Sequence, residues 1–196
     1  MRKKFIILFL LCFLNSCVGS STGGVFGTGV SVALDPRTLG TQIDDSIMQK
    51  NLLARLALVE KKYLVQISVK VLDGRIFLGG KVEEPEEKLK ITKMAWETKG
   101  ARSVKNNIVI KEAFSFKNTA KDVLITSQLR AALIFNKKVK AANFNIDTIN
   151  QKTYVFGIAQ DENEKKEIIQ EAKQIVDLKE IVTSILFISD LSRQKE

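Results

Sequence analysis

The chain has 196 residues, of which 31 are basic and 22 acidic, and its formal net charge is +9. It contains no histidine, and its two cysteines are Cys12 and Cys17. This inventory excludes imidazole-based metal binding and leaves few groups for general acid–base or nucleophilic catalysis, so we expect no catalytic residue, no metal site, no cofactor and no enzymatic activity.

The first segment of the chain predicts export. Basic residues from Arg2 to Lys4 precede an unbroken apolar run, Phe5–Phe13, that is too short to span a membrane as a mature helix. We therefore predict a signal peptide over residues 1–16. Its end, Leu14–Cys17, resembles the bacterial lipobox, which implies a diacylated Cys17 as the first mature residue. The alternative is an ordinary signal peptide cut nearby, with Cys17 left as a free thiol.

The chain stays basic after the signal peptide is removed. Three of the 31 basic residues lie in the signal, so 28 remain against 22 acidic ones and the net charge becomes +6. In the cell envelope such an excess favours anionic lipid or polymer partners, and no nucleic acid partner is expected. An ordinary lysine-rich surface is the alternative reading. Residues 17–40 are rich in Gly, Ser and Thr, which is typical of a flexible tether after the lipidated N-terminus.

The remainder is an internal repeat with an offset of 77 residues and no gap. The offset superposes identical or similar residues, for example Asp45 on Asp122, Leu52 on Leu129, Gly80 on Gly157, Ile91 on Ile168 and Ala95 on Ala172. We predict two tandem domains over residues 41–112 and 119–188, joined by a linker over 113–118. A polar tail over 189–196 is expected to be disordered.

Each copy predicts an α+β domain in the order helix, strand, strand, helix, strand. In the first copy a capping box at Thr41 and Asp44 opens a helix to about Val59. Its predicted core stripe is Ile43, Ile47, Leu52 and Leu56.

A half-buried hairpin with one polar face follows and turns at Asp73 and Gly74. Pro85 then begins a second helix that Gly100 stops, with a core stripe at Leu89, Ile91, Met94 and Ala95. A third strand, Ser103 to Ile110, completes the unit.

The second copy follows the same plan, with weaker turn chemistry at Asn150 and Gln151. Its predicted elements are a helix over 119–135, strands over 143–149 and 152–159, a helix over 162–176 and a strand over 181–188.

This unit resembles the BON domain, whose marks are a glycine that closes the second strand and an alanine late in the second helix. The marks are Gly80 and Ala95 in one copy and Gly157 and Ala172 in the other. The segment 35–45 is also similar to one in dual-BON outer-membrane lipoproteins of the DolP type.

The resemblance implies two BON domains, each a three-stranded mixed sheet covered by two helices. It also implies a periplasm-facing, lipid-anchored protein of the outer membrane that binds anionic phospholipid, such as phosphatidylglycerol or cardiolipin, and supports envelope integrity.

The first helix of the second copy is the candidate lipid contact. Beside its core stripe it carries a second apolar stripe, Leu124, Ala131, Ile134 and Phe135, and it runs into a lysine cluster, Lys137, Lys138 and Lys140. This arrangement fits shallow insertion beside anionic headgroups. The resemblance places the family's lipid contact on this same helix and carries over Arg130. The predicted phospholipid-binding residues are Leu124, Ser127, Gln128, Arg130, Ala131, Ile134, Phe135, Lys137 and Lys138.

Two alternatives remain open from the sequence. The second apolar stripe could pack against the first helix of the first copy, whose Met48, Leu53 and Ala57 widen its own apolar coverage. The protein could also be an adaptor that docks onto an outer-membrane assembly or secretion machine, with a protein partner in that membrane. Sugar-polymer binding has little support, because Trp96 is the one tryptophan and has core-compatible helical spacing.

Overall fold

The computed structural model describes residues 35–110 and 116–192. Outside this range lie the predicted signal peptide, Cys17, the tether up to residue 34, residues 111–115 and the last four residues. Residues 113–115 belong to the linker predicted over 113–118, and the first helix of the second repeat begins at Phe116, earlier than the predicted residue 119. The predictions made for those segments stay predictions.

The predicted order of helices and strands is confirmed in the first repeat. A long helix precedes an antiparallel hairpin, a second helix and a parallel third strand, with one short helical turn inserted before the hairpin. The elements are α1 (Leu39–Val59), the short helix α2 (Tyr63–Gln66), β1 (Ile67–Leu72), β2 (Arg75–Val82), α3 (Pro85–Trp96), β3 (Ser103–Asn106) and β4 (Val109–Ile110).

The second repeat has the same order, and a single-turn 3-10 helix takes the place of α2. The elements are α4 (Phe116–Phe135), the 3-10 turn Ala141–Asn143, β5 (Phe144–Ile149), β6 (Lys152–Ala159), α5 (Glu162–Lys173), β7 (Glu180–Phe187) and a last 3-10 turn, Ile188–Asp190.

Both sheets are mixed and have the second strand of the repeat at their centre. β2 pairs antiparallel with β1 and parallel with β3 and β4. β6 pairs antiparallel with β5 and parallel with β7. The third strand of the first repeat is split, contrary to prediction, because the Asn106 side-chain oxygen accepts a hydrogen bond from the Ile108 amide (2.8 Å) and the ladder is interrupted there.

One glycine in each sheet allows the two hairpin strands to approach closely. Gly80 lies opposite Ile67 with a φ of 117°, and a Cβ there would lie 2.0 Å from the carbonyl oxygen of Gln66. Gly157 lies opposite Phe144, and a Cβ there would lie 2.2 Å from the carbonyl oxygen of Asn143. Side chains at these two positions would collide with backbone, so only glycine fits.

Each sheet is buried on both faces. One face of each packs against the helices of its own repeat. The other faces pack against each other, and the Phe77 and Phe156 rings stack there with centroids 5.7 Å apart. This interdomain layer consists of Leu72, Phe77, Ile149, Tyr154, Phe156, Ile158 and Leu191. The prediction that the first hairpin is only half-buried, with one polar face, is therefore wrong, because the second sheet covers that face.

The layers occur in the order helices, sheet, sheet, helices. Each sheet meets its own helices on one side and the other sheet on its second side. The long helices that cover each sheet consequently lie on the outer sides of the two-sheet layer, whereas the short helix α2 of the first domain shares a cavity with α4 of the second.

The predicted orientation of α1 is also wrong. Ile43 and Ile47 are exposed, and the buried residues of the helix are Thr41, Asp45, Leu52 and Leu56. The N-cap is Thr38, whose hydroxyl accepts from the Thr41 amide, so Thr41 lies inside the helix. In α3, Leu89 and Trp96 are exposed, and Ile91 and Ala95 form the buried face.

The part of the polar tail that the structure describes is ordered by contacts with the first domain. Leu191 is buried in the interdomain layer. The Ser192 hydroxyl donates to Asp73 Oδ1 at 2.6 Å, and Arg75 donates to the carbonyl oxygen of Asp190 at 3.0 Å. Residues 189–192 thus contradict the expectation of disorder, because a single apolar side chain in this stretch docks between the sheets.

Candidate functional site

Helix α4 lies on the outer surface of the second domain. Its inward face consists of apolar side chains, Ile125, Leu129 and Leu133, that are almost fully buried. Leu129 and Leu133 belong to the core between this helix and the sheet. On other faces of α4 the large apolar side chains Leu124, Ile134 and Phe135 are exposed.

A buried carboxylate fixes the rotation of α4 on its sheet. Asp122 accepts hydrogen bonds from the amides of Asn150 (2.9 Å) and Gln151 (2.7 Å), the two turn residues of the hairpin. Both turn residues have positive φ, 54° and 64°, so the turn forms without a glycine. The carboxylate supplies acceptors for two amides that the tight turn leaves without strand partners.

The first domain has the same arrangement of an aspartate and two turn amides. Asp45 accepts from the amides of Asp73 (2.6 Å) and Gly74 (2.8 Å), and it also forms a salt bridge with Arg37. Asp45 and Asp122 are functional in the fold but were not predicted as such, although the offset of 77 residues that superposes them is a signal of this shared role.

The second apolar stripe of α4 is exposed, as a surface contact requires. Leu124 is 54% exposed, Ile134 64% and Phe135 84%. At 100° per residue, Leu124, Ala131 and Phe135 lie opposite the buried stripe and point away from the sheet.

The alternative in which this stripe packs against the first domain is contradicted, because its large side chains are exposed. In the first domain, Met48 and Leu53 pack against their own core.

The predicted polar members of the site, Ser127, Gln128 and Arg130, are likewise exposed on α4. Arg130 lies near Asp147 on strand β5. Burial raises the pKa of the Asp147 carboxyl, and the Ser68 hydroxyl and the Arg130 guanidinium act in the opposite direction. Within residues 35–110 and 116–192, Asp147 Oδ2 has no hydrogen-bond partner.

The lysine cluster after α4 is only partly neutralised. Lys138 Nζ lies 2.7 Å from Glu167 Oε1, and this hydrogen bond raises the pKa of Lys138. Lys137 and Lys140 are exposed and form no salt bridge within the part of the chain that the structure describes. These two lysines are therefore available to bind an external anion. Lys138 would first have to break its salt bridge with Glu167.

The described residues contain no group of three or more histidine, cysteine, aspartate or glutamate side chains placed to hold a metal ion. Among the helices of residues 35–110 and 116–192, none has the length and apolar character needed to cross a membrane.

The chain is similar in sequence to several known proteins. The chain is 28% identical over 160 residues to the outer membrane lipoprotein DolP of Haemophilus influenzae, an alignment that covers 80% of this chain and 81% of the relative. It is 30% identical over 120 residues to an uncharacterised protein of Anaplasma centrale, with coverage of 61% and 80%. A 21 kDa hemolysin of Actinobacillus pleuropneumoniae is 25% identical over 125 residues, with coverage of 63% and 64%.

Among solved structures, the chain is similar to CdsD, a structural protein of the type III secretion system of Chlamydia trachomatis. The sequences are 12% identical, the TM-score is 0.31, and the match covers 70% of this chain and 92% of the other. A score this low supports no inference about function.

The family comparison is more specific. The BON-domain model matches residues 44–112 and 121–187, which correspond to the two αββαβ units described above. The chain belongs to the BON-domain family and carries two tandem BON domains.

Proposed function

We propose that this protein is a non-enzymatic lipoprotein of the outer membrane, anchored through Cys17 and facing the periplasm, that binds anionic phospholipid through its second BON domain and supports envelope integrity. The observation that carries the proposal is the exposed apolar stripe of α4 beside uncompensated lysines. Similarity to an outer membrane lipoprotein supports the location.

The geometry of α4 suits a helix that lies in the plane of a membrane surface. Its buried stripe holds it on the sheet, and its outward stripe presents leucine, isoleucine and phenylalanine side chains to the exterior. Such a helix inserts its apolar face to a shallow depth while nearby cations meet anionic headgroups, each lysine contributing about 1 kcal/mol. Lys137 and Lys140 fit this role better than Lys138, which is paired with Glu167.

An acyl anchor would hold the chain at the membrane, so the contact made by α4 need only be weak. A tethered second contact acts at high effective concentration, and a weak, salt-sensitive interaction is enough to discriminate between membrane regions. The proposed role of α4 is therefore selection of lipid composition, with phosphatidylglycerol or cardiolipin as the candidate lipids.

The test is sedimentation with vesicles of the mature chain in which Cys17→Ser removes the acylation site. We expect binding to vesicles that contain phosphatidylglycerol, release at high salt, and little binding to phosphatidylcholine alone. Lys137→Glu should weaken binding about thirtyfold, because a charge reversal removes one attraction of about 1 kcal/mol and adds one repulsion of similar size.

Lys166→Glu, on the exposed surface of α5, is the matched charge control and should have a much smaller effect. Absence of vesicle binding at low ionic strength would rule out the proposal. Co-purification of a stoichiometric outer-membrane protein in its place would favour the adaptor role.

A further inference from the structure

A short apolar corner of the first domain lies beside the candidate lipid contact of the second. It is formed by Leu64 and Val65 in the one-turn helix α2. Leu64 is 54% exposed and Val65 is 91% exposed. Two adjacent large apolar side chains at this exposure are unfavourable in water unless they meet a partner.

The backbone holds these two side chains outward. Tyr63, the first residue of α2, is 2% exposed, and its hydroxyl donates to Glu87 Oε1 at 3.0 Å. The amides of Leu64 and Val65 donate to the carbonyl oxygens of Lys61 and Lys62, which closes the helical turn. With Tyr63 anchored in the core, the next two residues of the turn have to point away from it.

The fold itself does not require large side chains at these positions. The offset of 77 residues places Ala141 and Ala142 of the second domain at the positions of Leu64 and Val65. There the same connection between first helix and hairpin forms with two alanines, in the 3-10 turn Ala141–Asn143. The size of Leu64 and Val65 is therefore explained by something other than the stability of the turn.

The corner faces α4 across a cavity between the two domains. Val65 lines a cavity of about 420 Å³ together with Val123 and Ser127 of α4. Val123 is 62% exposed, and Ser127 belongs to the predicted lipid contact. Across the same cavity Lys81 of the first domain contacts Asp122 and Asn150 of the second, at 3.4 and 3.2 Å. Ser68, Thr126 and Asp147 line this cavity as well. The corner and α4 therefore lie side by side across a cavity whose walls are partly apolar and partly polar.

The charge beside the corner matches that beside α4. Lys61 is exposed at the start of the turn and forms no salt bridge among the described residues, as is the case for Lys137 at the end of α4. Apolar side chains next to uncompensated lysines at both sites fit the same partner, a surface of anionic headgroups over an apolar interior.

We propose that Leu64 and Val65 insert into the anionic membrane together with α4, so that the lipid-binding surface is composite and spans both domains. This inference rests on the proposed function and adds the first domain to it. The corner and α4 belong to different domains. The packing of the two sheets therefore sets the position of these two membrane contacts relative to each other.

The test uses the mature chain carrying Cys17→Ser, with vesicles of phosphatidylglycerol and phosphatidylcholine at low salt. The variant Leu64→Ala with Val65→Ala copies the residues of the second domain and should fold normally. We expect it to bind at least about fivefold more weakly, since five apolar carbons are removed from the contact. Leu89→Ala is the matched control, because Leu89 is exposed on α3 and its loss should leave binding within twofold of the unmodified chain.

A second measurement reports insertion directly. In a Trp96→Phe background, Val65→Trp places a single tryptophan at the corner, and its emission should shift to the blue when phosphatidylglycerol vesicles are added. A corner that stays in water gives no shift, which would overturn the inference.

The experiments distinguish failure of the composite surface from failure of lipid binding by α4. If the unmodified chain binds vesicles and Phe135→Ala weakens binding while the double alanine variant does not, the composite surface is wrong and the role of α4 stands. If the unmodified chain does not bind at all, both are wrong.

Discussion

At the scale of single residues, two buried aspartates decide how each domain is assembled. Asp45 and Asp122 each accept hydrogen bonds from both amides of a hairpin turn. A carboxylate in this position connects the first helix to the sheet and stabilises a turn whose residues have positive φ. It is therefore a structural group in each domain and not a candidate catalytic acid.

We predict that Asp122→Ala lowers the free energy of unfolding by about 2 kcal/mol or more, since two buried amides lose their acceptor. Urea unfolding followed by circular dichroism measures the change. Gln151→Gly is the matched variant that should raise the free energy of unfolding. It replaces a glutamine held at a positive φ in the same turn by glycine, and the gain should be up to about 1 kcal/mol. Equal stability of Asp122→Ala and the unmodified chain would contradict the assigned role.

At the scale of elements, the start of α3 is joined to the turn that carries the apolar corner. Glu87 completes a capping box with Glu84. Its carboxylate also accepts from Lys62, at 2.8 Å, and from the hydroxyl of Tyr63. The hydrogen bond from Lys62 is the main cause that lowers the pKa of Glu87 to about 2. The same carboxylate therefore caps a helix and positions Leu64 and Val65.

This arrangement predicts a dependence of stability on pH. A carboxyl whose pKa is lower in the folded state than in the unfolded state stabilises above its ordinary pKa, and the stabilisation disappears as the pH falls from about 4.5 to about 2. Glu87→Gln should be less stable at neutral pH by about 1 kcal/mol, and this difference should vanish near pH 2. Thermal unfolding at several pH values tests it.

Glu86→Gln is the control for Glu87→Gln, since Glu86 is an exposed carboxylate in the same helical turn. It should have a smaller effect with little dependence on pH. A pH-independent difference between Glu87→Gln and the unmodified chain would mean that the ion pair is not the source of the stabilisation.

At the scale of the whole molecule, the two domains are held together by apolar packing between their sheets. Phe77 and Phe156 stack across this layer, and Leu191 from the C-terminal segment fills it. Because an apolar layer of this kind is removed from water only when both sheets are present, we expect the domains to unfold cooperatively rather than as independent units.

A double-mutant cycle tests this coupling. Phe77→Ala and Phe156→Ala should each cost about 3 kcal/mol, and the pair should show an interaction energy of about 1 kcal/mol from the lost stacking. Phe77→Ala combined with Phe144→Ala is the control. Phe144 belongs to the core of the second domain, so those two changes should be additive. An interaction energy of zero for Phe77 and Phe156 would contradict direct packing of the sheets.

The repeat, the order of helices and strands and the second apolar stripe of α4 could be predicted from residue patterns alone, and the resemblance to BON domains implied the mixed sheets. These features depend on local periodicity and on glycines such as Gly80 and Gly157, whose requirement is encoded at each position. The family followed from the same residues and is confirmed by the match over both repeats.

The buried face of α1 and the covering of the second face of each sheet depend on the docking of whole elements and domains. The spacing of apolar residues predicts that Ile43 and Ile47 face the core. Asp45 is buried instead, because its hydrogen-bond partners are turn amides 28 and 29 residues further along the chain. Likewise, Leu191 is ordered by sheets that precede it, and Val65 is brought beside Val123 by domain docking. Contacts between distant residues depend on packing that no local pattern encodes, and the composite surface proposed for the membrane is of this kind.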